Sequence, residues 1–381
     1  MQPFQPWSLV LHIYQPPNQR PETLDLVSRE GYLGLLEALL STSYPVSLNV
    51  SGVLLEQLAK QQPAILDLIK NLATKDNITF LNSAYTHALL PLWPQAEGEY
   101  QLAHNRLVVA EYLGKKLKLT GLYLPECAYA PTLDGLIKKD RVAYTVIDEI
   151  SLRSATYHPL VRAERGGPVL VVRNRALSQA LATSVEQTAA ILDKTTTPLV
   201  AVLDGEVFGH FDANALERLK SIFSQFGNRM QSTKLLATGK PVKVKVRAAS
   251  WETDPSDLLW RRPFPLWQDN KNRVHQAMWH FIKGVQQALY QTDSLLQNGW
   301  ERLHFSNAMA SCWWWWANPK RTAGPFKMKV WNPDLVVEGM SEAIKAIRTD
   351  PNIPRKTKWH LETEYADLLK LIWQTHWKLG S

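Results

Sequence analysis

A chain of 381 residues, 45% hydrophobic and 20% charged, reads as a soluble globular protein larger than one typical domain, suited to a large barrel plus an appendage. Its formal charge of +8 favours acidic partners in general, yet the basic residues fall in short groups such as Lys115-Lys116, Lys138-Lys139 and Arg355-Lys356. No long basic run and no nucleic-acid signature accompanies them, so neither a nucleic acid nor a membrane is an expected partner.

Two cysteines, Cys127 and Cys312, stand far apart and in no CxxC pattern, which argues against a disulfide framework or a zinc cluster and fits a reducing compartment. The first residues show no basic segment followed by a small-residue cleavage site. No apolar run reaches about 18 residues. The expectation is a cytoplasmic protein without a cofactor or a metal. Tryptophan is over-represented, with 15 residues, and Trp313 to Trp316 are consecutive. Indole rings fill cores and also suit the C–H faces of sugars.

In chain order, short apolar runs at 8–13, 46–50, 78–82, 121–124, 143–147, 169–172 and 199–203 read as strands. Amphipathic stretches separate several of them: 54–72, which Pro63 splits or kinks, 99–117 and 215–226. Repeated β-α units imply a parallel sheet, and strands this apolar imply burial on both faces. Polar residues gather just after the strands: His12 and Gln15, Asn49 and Ser51, Tyr85 and His87, Glu126, Asp148, Asn174, then Asp204 and Glu206. In a β/α barrel these ends meet at one face, where active sites lie. Residues 242–246 alternate strictly and read as a half-exposed strand that closes or flanks the barrel. Pro263 and Pro265 mark a boundary, giving a barrel over 1–265 and a helical region over 266–381. Helices are expected there at 273–291, 295–316, 335–347 and 361–377.

Glu126 and Asp204 are the most informative pair. Each follows a buried strand whose apolar run breaks at Pro or Gly, and an acid in that position costs desolvation energy that a structural role rarely requires. Two such acids suit paired general acid and nucleophile chemistry, most often glycoside cleavage. Each also has a structural reading, Glu126 as a helix cap and Asp204 as a turn former before Gly205. His12 and His87 divide evenly between site and scaffold. Cys127 has no partnering base and reads as core packing. Of the tryptophan run, part belongs in the core and part to a sugar cleft, with Trp314 the substrate-binding candidate.

Four segments together resemble glycoside hydrolase family 57. Leu11-His-Ile-Tyr-Gln-Pro16 is similar to its first motif, usually His-x-His-Gln-Pro, and Asn82-Ser-Ala-Tyr-Thr-His-Ala-Leu-Leu-Pro91 to its second. Tyr123-Leu-Pro-Glu-Cys-Ala-Tyr129 is close to the third and Leu203-Asp-Gly-Glu-Val-Phe-Gly-His210 to the fourth. The resemblance implies an α/β fold, a seven-stranded (β/α) barrel followed by a C-terminal helical region. It also implies retaining chemistry on α-linked glycans without a metal, of the amylase, glucanotransferase or branching-enzyme type. Glu126 then matches the nucleophile and Asp204 the acid/base. His12, His87 and Glu206 match positions lining the sugar subsite, with Tyr14, Gln15, His210 and Trp251 as further candidates.

In such chemistry one carboxylate is ionised and the other protonated. Donors such as His12 or His87 would hold Glu126 ionised, and apolar neighbours and Glu126 would raise Asp204. Glu206, two residues on, is a rival for the acid role if the strand continues. Tyr14 replaces the motif's second histidine, and the segment from Ala308 to Trp316 offers Cys312 and aromatics where several amylolytic members carry a carboxylate. These departures motivate a second reading, a catalytically silent carbohydrate-binding or regulatory protein. A metal-dependent deacetylase, the third reading, requires clustered His and Asp ligands at metal-site spacing, and the sequence shows no such set.

Overall fold

The computed structural model describes residues 5–379 apart from 165, 298 and 325. The chain forms two compact units, Met1–Trp251 and Glu252–Ser381, where the prolines had suggested a boundary at 265.

The first unit is built on one sheet of nine strands: β1 (Trp7–Ile13), β2 (Val46–Val50), β3 (Ile78–Asn82), β4 (Gly121–Tyr123), β5 (Tyr144–Asp148), β6 (Leu160–Ala163), β7 (Val169–Arg173), β8 (Leu199–Asp204) and β9 (Val242–Val244). The order is β8-β1-β2-β3-β4-β5-β7-β6-β9. The seven expected strands run parallel, from β8 to β7. β6 pairs antiparallel to β7, and β9 pairs parallel to β6. Sequence reading missed β6 because Arg162 interrupts an apolar run only two residues long.

The sheet curls. Val10 of β1, Val200 and Val202 of β8, Tyr144 and Val146 of β5 and Val171 of β7 pack into a single buried cluster. The two ends of the parallel series also meet: the Asn174 amide donates to the Val200 carbonyl at 2.7 Å, and Arg173 Nε donates to the Val202 carbonyl at 3.1 Å. No ladder joins β7 to β8 among the described residues, so the expected barrel is a curled sheet closed there by isolated bonds. Every residue of β1 and β2 is buried, as strands covered on both faces require. Removing one such Leu or Val side chain from water is worth about 1.5–3 kcal/mol.

Helices connect the strands. Gly52–Gln61 and Pro63–Ala73 are two helices divided at Gln62, because proline tolerates the first turn of a helix and not its interior. The helix expected over 99–117 runs from Gln95 to Leu113 and stops at Gly114, whose φ of 106° suits glycine.

In the second unit the main helices are Arg273–Gln291, Trp300–Ala308, Pro333–Thr349 and Arg355–Leu379. A two-stranded antiparallel hairpin, β10 (Ala317–Ala323) and β11 (Met328–Trp331), was not expected from sequence. The tryptophan run divides by burial. Trp313 and Trp314 are buried in this unit, while Trp315 and Trp316 are partly exposed. Trp313 lies over Gly339, where any Cβ would sit 2.2 Å from the indole.

Candidate active site

The strand ends place most of the candidate residues together. His12 lies near the end of β1, beside Asn49 of β2 and opposite Asp204 of β8 in the ladders. Glu126 follows β4 in a tight turn, Pro125–Cys127, with Glu126 itself left-handed at φ 61° and ψ 20°. His87, after β3, is also left-handed at φ 61°. Non-glycine residues in this region cost roughly 1–3 kcal/mol each, and such outliers cluster at functional sites.

Four rings form a column: Tyr14 on His87 at 4.2 Å between centroids, His87 on His12 at 4.6 Å, and His12 on Tyr123 at 4.4 Å. Both imidazoles are neutral. Burial pushes His12 down to about 3, against a smaller opposing effect of its bond to Asn49, and burial followed by the neighbouring His12 holds His87 well below the usual range. Asn49 Nδ2 donates to the Leu81 carbonyl at 3.0 Å, so its Oδ1 faces His12 Nδ1 at 2.7 Å. The proton of the neutral ring therefore sits on Nδ1, and Nε2 is left as an acceptor. His12 Nε2 is buried without a protein partner, and so is the Tyr123 hydroxyl.

Glu126 takes its hydrogen bond from an unexpected donor. Trp251 Nε1 donates to Glu126 Oε2 at 2.7 Å, whereas His87 Nδ1 lies 3.8 Å from Glu126 Oε1. Trp251, read from sequence as a sugar contact, is thus bonded to the carboxylate. Behind it, Asp148 is fully buried and binds Arg173 at 2.7 Å and Arg175 at 2.6 Å. Glu126 and Asp204 both bear on Tyr123: burial pushes its hydroxyl well up, followed by Cys127, Asp204 and Glu126, with Arg173 opposing. Cys127 is fully buried, its thiol also pushed well up, first by burial.

Glu206 leaves the strand. β8 ends at Asp204, and Gly205–Val207 is a tight turn. The Glu206 carboxylate is buried, accepting from the Tyr32 hydroxyl and from Gln15 Nε2 at 3.3 Å. Burial raises it, with Tyr32, its own main chain, Tyr14 and Gln15 opposing. His210 bonds Glu30 at 2.8 Å beyond Gly209 and is half-buried. Trp314 lies in the second unit, stacked on Trp279 at 4.6 Å. Among the described residues, no group of three or more His, Cys, Asp or Glu is placed to hold a metal ion.

Tyr32, Tyr123, Arg173 and Arg175 also belong to this group of residues, although no sequence motif marks a role for them. Arg173 carried one available signal, since it is the last residue of β7 and so occupies a strand end like the others.

The sequence profile of glycosyl hydrolase family 57 matches residues 13–241. An α-amylase of Pyrococcus horikoshii is 25% identical over 171 residues, which is 42% of this chain and 26% of that protein. Alpha-amylase 1 of Dictyoglomus thermophilum is 24% identical over 144 residues, 38% of this chain and 21% of that protein. The matches thus span about a quarter or less of these relatives. Among solved structures, the 4-α-glucanotransferase of Thermococcus litoralis superposes with a TM-score of 0.71 at 18% identity, over 91% of this chain and 60% of that one. A family 57 branching enzyme of Thermococcus kodakaraensis, in complex with glucose, gives 0.69 at 13% identity over 94% of each chain. These likenesses show the same fold, and because the profile covers more than half of the sequence, the chain belongs to glycosyl hydrolase family 57.

Proposed function

We propose that this chain is a retaining glycosidase or transglycosidase acting on α-linked glucans, with Glu126 as nucleophile and Asp204 as acid/base. The observation that carries this reading is that both carboxylates flank one ring column: Asp204 stands opposite His12 in the β1–β8 ladder, and His87, stacked on His12, has its Nδ1 3.8 Å from Glu126 Oε1. Family membership supports it, as do the amylase, glucanotransferase and branching activities named for the similar proteins.

In the first step the ionised Glu126 attacks the anomeric carbon while Asp204 gives its proton to the departing glycosidic oxygen. In the second, Asp204 takes a proton from water or from an acceptor hydroxyl, which displaces Glu126. The Trp251 indole N–H stabilises charge on Glu126 Oε2 and leaves Oε1 on the His87 side. His12 Nε2 accepts from a sugar hydroxyl, and the Tyr123 hydroxyl is available to donate or accept. Neutral rings suit a neutral polyol, because no buried charge has to be compensated by the ligand. Glu206, held by Tyr32 and Gln15 in the turn after β8, anchors the chain that follows Asp204.

Reducing-sugar release and chain-length redistribution from maltooligosaccharides test this reading, with calorimetry alongside. Glu126→Ala and Asp204→Ala should each abolish turnover without abolishing binding. Near-full activity of Glu126→Ala, or binding by the unaltered chain with no turnover of any glucan, contradicts the assignment.

A further inference from the structure

Behind the two carboxylates lies a buried ionic network that the proposed chemistry does not itself use. Asp148, the last residue of β5, has no exposed surface. Its Oδ2 accepts from Arg173 Nη1 at 2.7 Å, and its Oδ1 accepts from Arg175 Nε at 2.6 Å and from the Ile150 amide at 3.0 Å. Burying a carboxylate is unfavourable, and this arrangement offsets the desolvation with two guanidinium groups.

Both arginines lead to Trp251. Arg175 Nη2 donates to the Ser250 carbonyl at 3.1 Å and to the Trp251 carbonyl at 2.9 Å. The Arg173 guanidinium lies 5.4 Å from the centroid of the Trp251 ring, within the range of a cation–π contact. Arg173 Nε is fixed in turn by the Val202 carbonyl of β8, two residues before Asp204. Trp251 then meets Glu126 twice, through the indole N–H at 2.7 Å and through its amide, which donates to the Glu126 carbonyl at 3.0 Å.

We infer that Asp148 is a positioning residue for this site: it fixes Arg173 and Arg175, they seat Trp251, and Trp251 aims the Glu126 carboxylate. A plain structural ion cluster would need neither the two bonds from Arg175 to the 250–251 main chain nor the placement of Arg173 beside the indole. The hydrogen bonds described lead from Asp148 to Glu126 through Arg175 and Trp251, so its removal displaces the donor to the nucleophile. The inference deepens the proposed function and rests on it for its kinetic consequence, whereas its structural consequence stands independently.

The test reads the Trp251 indole N–H in proton–nitrogen correlation spectra of isotopically labelled full-length protein. Loss of one signal in Trp251→Phe identifies it, and Glu126→Gln gives its position against a neutral acceptor. In Asp148→Asn, and in Arg175→Lys, which keeps the charge but loses the fork that spans the carboxylate and two carbonyls, the signal should leave its wild-type position while the other indole signals stay. Arg175→Lys also covers the case in which Asp148→Asn does not fold. On maltooligosaccharides, kcat should fall by about 100-fold with KM nearly unchanged, as expected for a misaimed nucleophile. A folded variant with the Trp251 signal at its wild-type position overturns the inference. A wild-type protein without turnover contradicts the proposed function instead, and the Trp251 signal alone then decides the positioning role.

Discussion

The indole nitrogen of Trp251 lies 2.7 Å from Glu126 Oε2, and the amide of the same residue lies 3.0 Å from the Glu126 carbonyl oxygen. One residue thus secures both the side chain and the left-handed backbone of the proposed nucleophile. Trp251→Phe keeps an aromatic ring and the amide bond but removes the indole donor. Without that donor the Glu126 carboxylate is no longer held in its attack orientation, so kcat should fall by about 10- to 100-fold with KM nearly unchanged. Steady-state kinetics on maltooligosaccharides check this, and an unchanged kcat would show that the bond contributes nothing to the chemical step.

His12 makes the first unit sensitive to acid. Its imidazole is pushed down to about 3 in the folded chain, against an ordinary value of 6.5. Between those values the unfolded chain binds a proton that the folded chain refuses, so stability is lost as pH falls below about 6.5. From pH 7 to pH 5 the loss from His12 alone is about 2 kcal/mol, and His87 acts in the same direction. His12→Gln should therefore show a shallower fall in melting temperature over that interval than the wild type. Parallel falls would mean that His12 is protonated in the folded state.

Gly209 cannot be replaced without moving the loop after Asp204. Its φ is 136°, and a Cβ there would stand 1.9 Å from the Glu30 carbonyl oxygen. Gly209→Ala should cost more than about 3 kcal/mol in denaturant unfolding and release His210 from Glu30. A loss below about 1 kcal/mol would show that the loop relaxes freely.

Tyr32 and Gln15 both donate to Glu206 Oε1. Tyr32→Phe leaves the buried carboxylate with one hydrogen bond fewer and should destabilise the chain by roughly 1–3 kcal/mol. Thermal melts of the variant beside Glu206→Gln check the pairing. Because the two residues share one bond, their combined loss should be smaller than the sum.

Much of this fold was legible because its strands are covered on both faces. Continuous apolar runs ended by Gly, Pro or a polar residue marked all seven parallel strands, and with them His12, Asn49, Glu126 and Asp204. Pro63 marked its helix break through its own ring geometry. Relationships between residues distant in sequence were less legible. Nothing in the local sequence announces that Trp251 reaches Glu126, that Tyr32 reaches Glu206, or that Arg173 caps the Val202 carbonyl. Glu206 shows the same limit, since alternation placed it beside Asp204 only if the strand continued, and Gly205 turns the chain instead. The hairpin β10–β11 escaped notice because Asn318, Pro319, Lys320 and Arg321 carry no apolar alternation.

Retaining chemistry at this site requires a covalent bond between a sugar and Glu126. A fluorinated α-glucosyl fluoride, which slows breakdown of the glycosyl-enzyme more than its formation, can be incubated with the protein and followed by intact mass and peptide mapping. One fluoroglucosyl adduct is expected, located on the peptide bearing Glu126 and absent from Glu126→Gln. An adduct on Glu206, or turnover that inverts the anomeric configuration with no adduct at all, would contradict it.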